Sequence, residues 1–192
     1  MTKNILSSFV CEKNPDVDSF LKEKAILFSQ KNYAKTFLIF WEAEESQFGR
    51  STKELVGYYA IAHKSITISR DMPSGNKMVS KKWRDICKVA NTRSSEDSCV
   101  LSAHLIGQLG KNYNNGNNLL ISGDDLLGMA LKKVLEVIKL AGGKVVYVEC
   151  EDEKKLLDFY NRNKFEVFGK RRLDRDETDL KGTYLMQLYR YL

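Results

Sequence analysis

Between residues 124 and 141, the apolar residues Leu127, Ala130, Leu131, Val134, Leu135, Ile138 and Ala141 recur every three or four positions. That spacing predicts an amphipathic helix, and one whole face of it must find an apolar surface. Ser122 and Asp125 make an S-x-x-D capping box at its start, and Gly142-Gly143 stops it. An apolar segment at 99–109 (CVLSAHLIGQL) precedes the helix and another at 144–149 (KVVYVE) follows it. Both read as strands. Strands alternating with helices imply a mixed sheet covered by helices.

The remaining segments fit the same plan. Residues 5–10 read as a short first strand. Asn14 and Pro15 then open an amphipathic helix that ends near Asn32. Residues 36–41 (TFLIFW) and 55–62 (LVGYYAIA) read as two strands of an antiparallel hairpin, joined by a polar stretch. A helix over 152–163, a strand at 165–168 and a last strand at 184–189 complete the pattern. Residues 64–98 are less regular and rich in Lys and Arg, with a turn signal at Pro73-Ser74-Gly75 and a short helix expected near 81–89. This segment reads first as a solvated insertion between core elements, and second as a nucleic-acid surface.

The chain has 192 residues, enough for one domain spanning 1–192 with a substantial core. Its 31 Lys and Arg against 25 Asp and Glu leave a charge of +6, which permits an anionic partner without selecting one. No apolar run is long enough to span a bilayer, and the first residues do not read as a secretory signal, so no membrane partner is expected. Cys11, Cys87, Cys99 and Cys150 are widely spaced, as free thiols of a cytoplasmic protein would be. Two histidines, His63 and His104, and no H-E-x-x-H give no basis for a metal site.

Two places have chemical potential. The segment between strand 99–109 and the capped helix carries Gly110, Lys111, Asn115, Gly116, Asn117 and Gly123. Such a strand–loop–helix unit can aim backbone N–H groups at a phosphate. It matches neither G-x-x-x-x-G-K-[ST] nor G-x-G-x-x-G. Asp124 and Asp125 favour the plain alternative, a surface loop before a self-capped helix. The second place is Tyr160, beside Phe159 and before Phe165. By spacing it is a member of a core aromatic cluster; the functional alternative is a phenol that gives a proton to a leaving group.

At these residues the chain resembles the GNAT acyl-CoA N-acyltransferases, and more narrowly the toxin-type subgroup that acetylates aminoacyl-tRNA. FVCEKNPDVDSFLKEKA looks like that subgroup's opening strand and helix, and ELVGYYAIA like its third-strand region. HLIGQLGKN is similar to the strand ending Gly-Arg-Leu-Ala-Val-Asp, with Gln108 where Arg is usual. VECEDEKKLLDFYNRNKFEVF resembles the last helix and strand, with Lys164 where Gly is usual. The Gln/Arg-x-x-Gly-x-Gly/Ala pyrophosphate loop is replaced by NNGNNLLISG.

The resemblance implies one α+β domain with a mixed, mostly antiparallel sheet flanked by helices and a basic insertion at 64–98. It implies acetyl-CoA as co-substrate, with no metal. Backbone at Leu109, Gly110 and Lys111 would pair with the pantetheine arm. Asn115, Gly116, Asn117, Ser122 and Gly123 would surround the pyrophosphate. Tyr160 would protonate the departing thiolate, and a base or a water chain would take the amine's proton; Glu149 and Glu151 are the candidate bases, and solvated carboxylates at a strand end are their plainer and favoured reading. Cys150 reads as a small apolar strand residue. By charge alone, Lys77, Lys81, Lys82 and Arg84 point to an anionic acceptor such as tRNA if they face the acceptor side, and to solubility if they face away; a protein amine or a small amine also fits. A homodimer and an antitoxin partner belong to the same picture. The altered loop motivates an alternative, a degenerate domain that binds CoA or a partner without turnover. An RNA-binding module, resting on charge alone, is a third reading.

Overall fold

The structure is a computed structural model that describes residues 2–44, 51–175, 177–180 and 182–192. The elements, in order, are α1 (Thr2–Ser7), α2 (Pro15–Ser19), a π-turn (Phe20–Lys24), α3 (Ala25–Gln30), β1 (Lys35–Glu44), β2 (Ser51–Ser69), α4 (Ser80–Val89), β3 (Thr92–Ser95), β4 (Ser98–Lys111), a 3-10 turn (Asn114–Leu119), α5 (Gly123–Ala141), β5 (Val145–Cys150), α6 (Lys154–Arg162), β6 (Glu166–Arg172) and β7 (Tyr184–Tyr191). The strands form a mixed sheet in the order β1-β2-β4-β5-β7-β6, with β3 paired to β4. The mixed sheet with helices is what the alternating pattern predicts, and its α+β class is what the resemblance implies. No described helix is long and apolar enough to cross a membrane.

By its internal contacts the chain forms two units, Met1–Ala62 with Gly107–Lys133, and His63–Ile106 with Val134–Leu192. The first unit holds α1 to α3, β1, most of β2, the end of β4, the 3-10 turn and the first half of α5. Its core gathers Leu6, Phe9, Val17, Phe20, Leu21, Leu55 and Tyr58. Asn14 caps α2 by accepting from the Val17 N–H at 3.2 Å, as its position before Pro15 predicts. The predicted hairpin is present and longer than expected, running in register from Lys35↔Ile61 to Glu44↔Ser51 with one shift between Ile39 and Phe40. Most of its polar connection lies outside the described residues.

The first strand expected at 5–10 is instead helix α1 followed by a turn. Leu6 and Phe9, three residues apart, both turn into the core, which suits a helical turn and not an alternating strand. Only Val10 keeps strand-like pairing, accepting from the Tyr113 N–H at 2.7 Å and donating to the Asn112 Oδ1 at 2.9 Å.

The second unit holds the rest of β2, α4, β3, most of β4, β5, α6, β6 and β7. Its core corrects the reading of residues 64–98 as a solvated insertion. Ile66 and Ile68 extend β2, and Met78, Trp83 and Ile86 are buried with Leu101, Tyr147, Phe168 and Tyr189. The segment is basic on one side and structural on the other; each such apolar side chain contributes about 1.5–3 kcal/mol on burial. The β4–β5 ladder is parallel and comprises His104↔Val146, Leu105↔Tyr147 and Ile106↔Val148. Beyond those pairs β4 runs on to Lys111 and β5 to Cys150. β7 pairs antiparallel with β5 and with β6.

Candidate active site

In the first unit the candidate residues lie along β4, the 3-10 turn and the start of α5. Leu109, Gly110 and Lys111 are the last residues of β4. Gly110 is a packing requirement here: a Cβ would come within 2.3 Å of Val17 Cγ1. The turn that follows bends through Asn115 and Gly116, at φ 51° and 75°. The change from helical to left-handed backbone at Asn115 is the kind of turn that can form an anion nest, although the Asn114 N–H within it donates to Asn112 Oδ1 at 3.1 Å. Gly123 starts α5 without a positive φ.

The side chains of this segment are mostly engaged in holding it. Lys111 Nζ donates to the carbonyls of Asn118 (2.8 Å) and Ile121 (3.0 Å), which hold its charge beneath the turn without cancelling it. Asn117 is buried and donates to the Leu55 carbonyl and to Glu54. Ser122 and Asp125 close the predicted capping box in both directions. The Asp125 N–H donates to Ser122 Oγ at 3.0 Å, and the Ser122 N–H and hydroxyl donate to Asp125 Oδ2 at 3.3 and 2.6 Å. What the segment retains for an anion is therefore backbone N–H groups and the Lys111 charge, with the Asn114 N–H already donating to Asn112 Oδ1. Asp124 and Asp125 oppose it.

Four residues of this region were not singled out by spacing. Asn112 is buried and ties Val10, Leu55 and Asn114 together. Gln108, in the place of the usual Arg, donates to Asp16 at 2.8 Å and accepts from the Tyr58 hydroxyl at 3.4 Å. Asp16 and Tyr58 had shown only helix-start and strand signals.

In the second unit Tyr160 sits on α6, whose end builds its setting. The Phe165 N–H donates to the Tyr160 carbonyl (3.0 Å), and the Lys164 N–H to the Asn161 carbonyl (2.9 Å). This is a Schellman closure, with Lys164 in the left-handed position at φ 66°. It folds Phe165 back onto Tyr160, ring centroids 5.6 Å apart, and Phe159 meets the same ring at 5.0 Å. The aromatic cluster is real, and Tyr160 is nearly fully buried within it. Burial, and then the Cys150 thiol, push its phenol well above the usual tyrosine range. Cys150, buried at the end of β5, is itself pushed up to about 12 by burial and by Asp152 and Glu151.

Glu149 is held on both carboxylate oxygens. Arg171 Nε donates to Oε2 at 3.0 Å and Gln187 Nε2 to Oε1 at 2.8 Å. Arg171 also grips Glu177 through two nitrogens, at 2.7 and 2.9 Å. The alternating charges of residues 171–177 were the only trace of this cluster in the sequence. Lys82 pairs with Glu166 and lies over the Tyr189 ring, while Lys81 and Arg84 are exposed on α4.

This combination, a mixed sheet with a strand–turn–helix segment and a buried tyrosine after the next strand, is an α+β fold that matches solved structures of GNAT-fold toxins. No family model matches the sequence, and no curated protein does. Solved structures match. A tyrosine-to-phenylalanine mutant of KacT aligns with a TM-score of 0.61 at 16% identity, over 97% of this chain and 86% of that chain. AtaT complexed with acetyl-methionyl-tRNAfMet gives 0.57 at 14% identity, over 94% and 85%. A tyrosine-to-phenylalanine mutant of the AtaT toxin, bound to the C-terminus of the antitoxin AtaR and acetyl-CoA, gives 0.56 at 12%, over 97% and 84%. At these identities the likeness establishes the fold.

Proposed function

We propose that the chain is an acetyl-CoA-dependent N-acetyltransferase that moves an acetyl group to a primary amine by direct attack, with the amino group of an aminoacyl-tRNA as acceptor. Tyr160 carries the reading: a phenol kept protonated by burial and fixed by a Schellman closure at the end of α6. In the reaction the neutral amine attacks the thioester carbonyl, the C–N bond forms and the C–S bond breaks. The leaving thiolate takes its proton from Tyr160. A phenol that holds its proton tightly suits this role where the leaving thiolate is itself desolvated and so made more basic.

Cys150 has too little thiolate near neutral pH to take the acetyl group itself, so a single direct transfer is favoured over an acyl-cysteine. Glu149, with both oxygens engaged, acts as a positioning residue for the end of β5, and the amine's proton passes to water. Backbone at Leu109, Gly110 and Lys111 pairs with the pantetheine arm, and the Asn115–Gly116 nest above Lys111 takes the pyrophosphate. KacT and AtaT structures crystallised as tyrosine-to-phenylalanine mutants, and AtaT with acetyl-CoA or acetyl-methionyl-tRNA, support the tyrosine, the co-substrate and the acceptor. An antitoxin partner is part of the same proposal, from AtaT bound to AtaR.

The acidic start of α5 favours a second reading, a domain that binds CoA or a partner without turnover. Calorimetric titration of acetyl-CoA, followed by CoA release with charged tRNA and with a lysine peptide, separates the two. Binding with turnover on charged tRNA is expected. Binding without turnover on any amine establishes the second reading, and absence of binding removes both.

A further inference from the structure

Within the second unit, a cavity of about 400 Å³ opens between the start of α4 and the hairpin of β6 and β7. Val79, Lys81, Lys82, Asp85, Glu166, Tyr189 and Tyr191 line it. The volume is in the range of small-ligand pockets. Tyr191 is 39% exposed, and its ring is braced edge-on by Tyr189 at 5.5 Å and 85°. Tyr189 is in turn braced by Phe168 at 5.7 Å. The cavity therefore offers one rigid, accessible aromatic ring backed by buried ones.

The charges around it are unevenly satisfied. Lys82 is paired with Glu166 and lies over Tyr189 at 5.4 Å. Asp85 is paired with Lys88 at 2.9 Å. Lys81 is exposed at the cavity wall, and α4 as a whole carries Lys81, Lys82, Arg84 and Lys88 against Asp85 alone. A purely apolar ligand would not use these groups, and an acidic peptide would meet Asp85 and Glu166. A nucleotide can use the open ring, the second oxygen of a paired carboxylate and the exposed lysine: its base stacks on an aromatic ring, its exocyclic amine donates to a carboxylate, and its phosphate meets a lysine.

We propose that this cavity is a subsite for one unpaired nucleotide, with the base on Tyr191, an exocyclic amine towards Asp85 or Glu166, and the phosphate on Lys81. That the nucleotide belongs to a single-stranded RNA end rests on the tRNA acceptor proposed above; a free mononucleotide offers the same chemistry.

The test uses the full chain with CoA present, so that nucleotide does not enter a CoA site. Cytidine 5′-monophosphate is titrated by calorimetry or NMR, with ribose 5-phosphate as the probe lacking a base. Cytidine 5′-monophosphate should bind, ribose 5-phosphate should bind at least about tenfold more weakly, and Lys81→Glu and Tyr191→Leu should each weaken the nucleotide about tenfold. Both variants should melt as cooperatively as wild type and keep their affinity for acetyl-CoA. Equal binding of the two probes, or a well-folded variant of either kind that binds like wild type, overturns the subsite. Competition by a short single-stranded RNA assigns it to an RNA end, and binding without competition assigns it to a free nucleotide. If acetyl transfer fails with every amine while cytidine 5′-monophosphate still binds, the enzymatic proposal falls and the subsite stands.

Discussion

Lys164 occupies the left-handed position that ends α6, at φ 66°, where the resembled family uses Gly. A side chain there costs about 1–2 kcal/mol, part of which Gly gives back through its freer unfolded chain. Lys164→Gly should therefore stabilise the protein by roughly 0.5–1 kcal/mol, read as a rise in the denaturation midpoint, and should leave Tyr160 in place. Unchanged or lowered stability would mean that the closure is not strained. The sequence showed Tyr160 as an aromatic among aromatics, and the structure places it in that buried cluster. Its ring belongs to the cluster, and the same cluster keeps its hydroxyl protonated. Glu149 was visible as a carboxylate at a strand end, but its pairing with Arg171 and Gln187 depends on the register of β5 with β7 and on β6. No local pattern encodes that pairing.

Elements with strong local signals were legible. The α5 periodicity and its S-x-x-D box appear in the structure as a 19-residue helix with reciprocal cap bonds. Ser122→Ala should cost about 1 kcal/mol, measured by chemical denaturation. A loss below a few tenths would show that packing alone sets the start of α5. Short or mixed segments were less legible. α1 has six residues, too few to display a helical face, so an apolar run there resembled a strand. The segment 64–98 hid its core role because Ile66, Ile68, Trp83 and Ile86 are scattered among lysines and arginines. Their common face exists only once β2 is extended and α4 is formed. The anion nest was half visible: Asn115 and Gly116 marked the turn, but the engagement of Lys111, Asn117 and Ser122 in holding it depends on partners in other elements or further along the turn.

At the scale of the molecule, two properties respond to solution conditions. His104 is buried beside His63, ring centroids 5.2 Å apart. Burial lowers its pKa, the bond to the Gly142 carbonyl opposes this, and His63 adds to the lowering. The unfolded chain thus binds a proton more readily than the folded one. Stability from this group is complete above about pH 6.5 and declines as the pH falls from there through the lower folded value. A melting temperature that drops on acidification in this window, with a shallower drop in His104→Asn, is expected; equal slopes would locate the effect elsewhere. The net charge of +6 is shown to be concentrated in part on α4. Affinity for charged tRNA should fall steeply with salt, and Lys81→Glu should flatten that dependence. Insensitivity to salt would argue for a small or protein acceptor.

The central claim is direct transfer with Tyr160 as the acid. Single-turnover acetyl transfer from acetyl-CoA to charged tRNA, compared between wild type and Tyr160→Phe at saturating acetyl-CoA, tests it most directly. The account predicts a rate loss on the order of 10²-fold or more with acetyl-CoA affinity unchanged, since the phenyl ring keeps the packing and loses only the proton. Equal rates in the two proteins would contradict it.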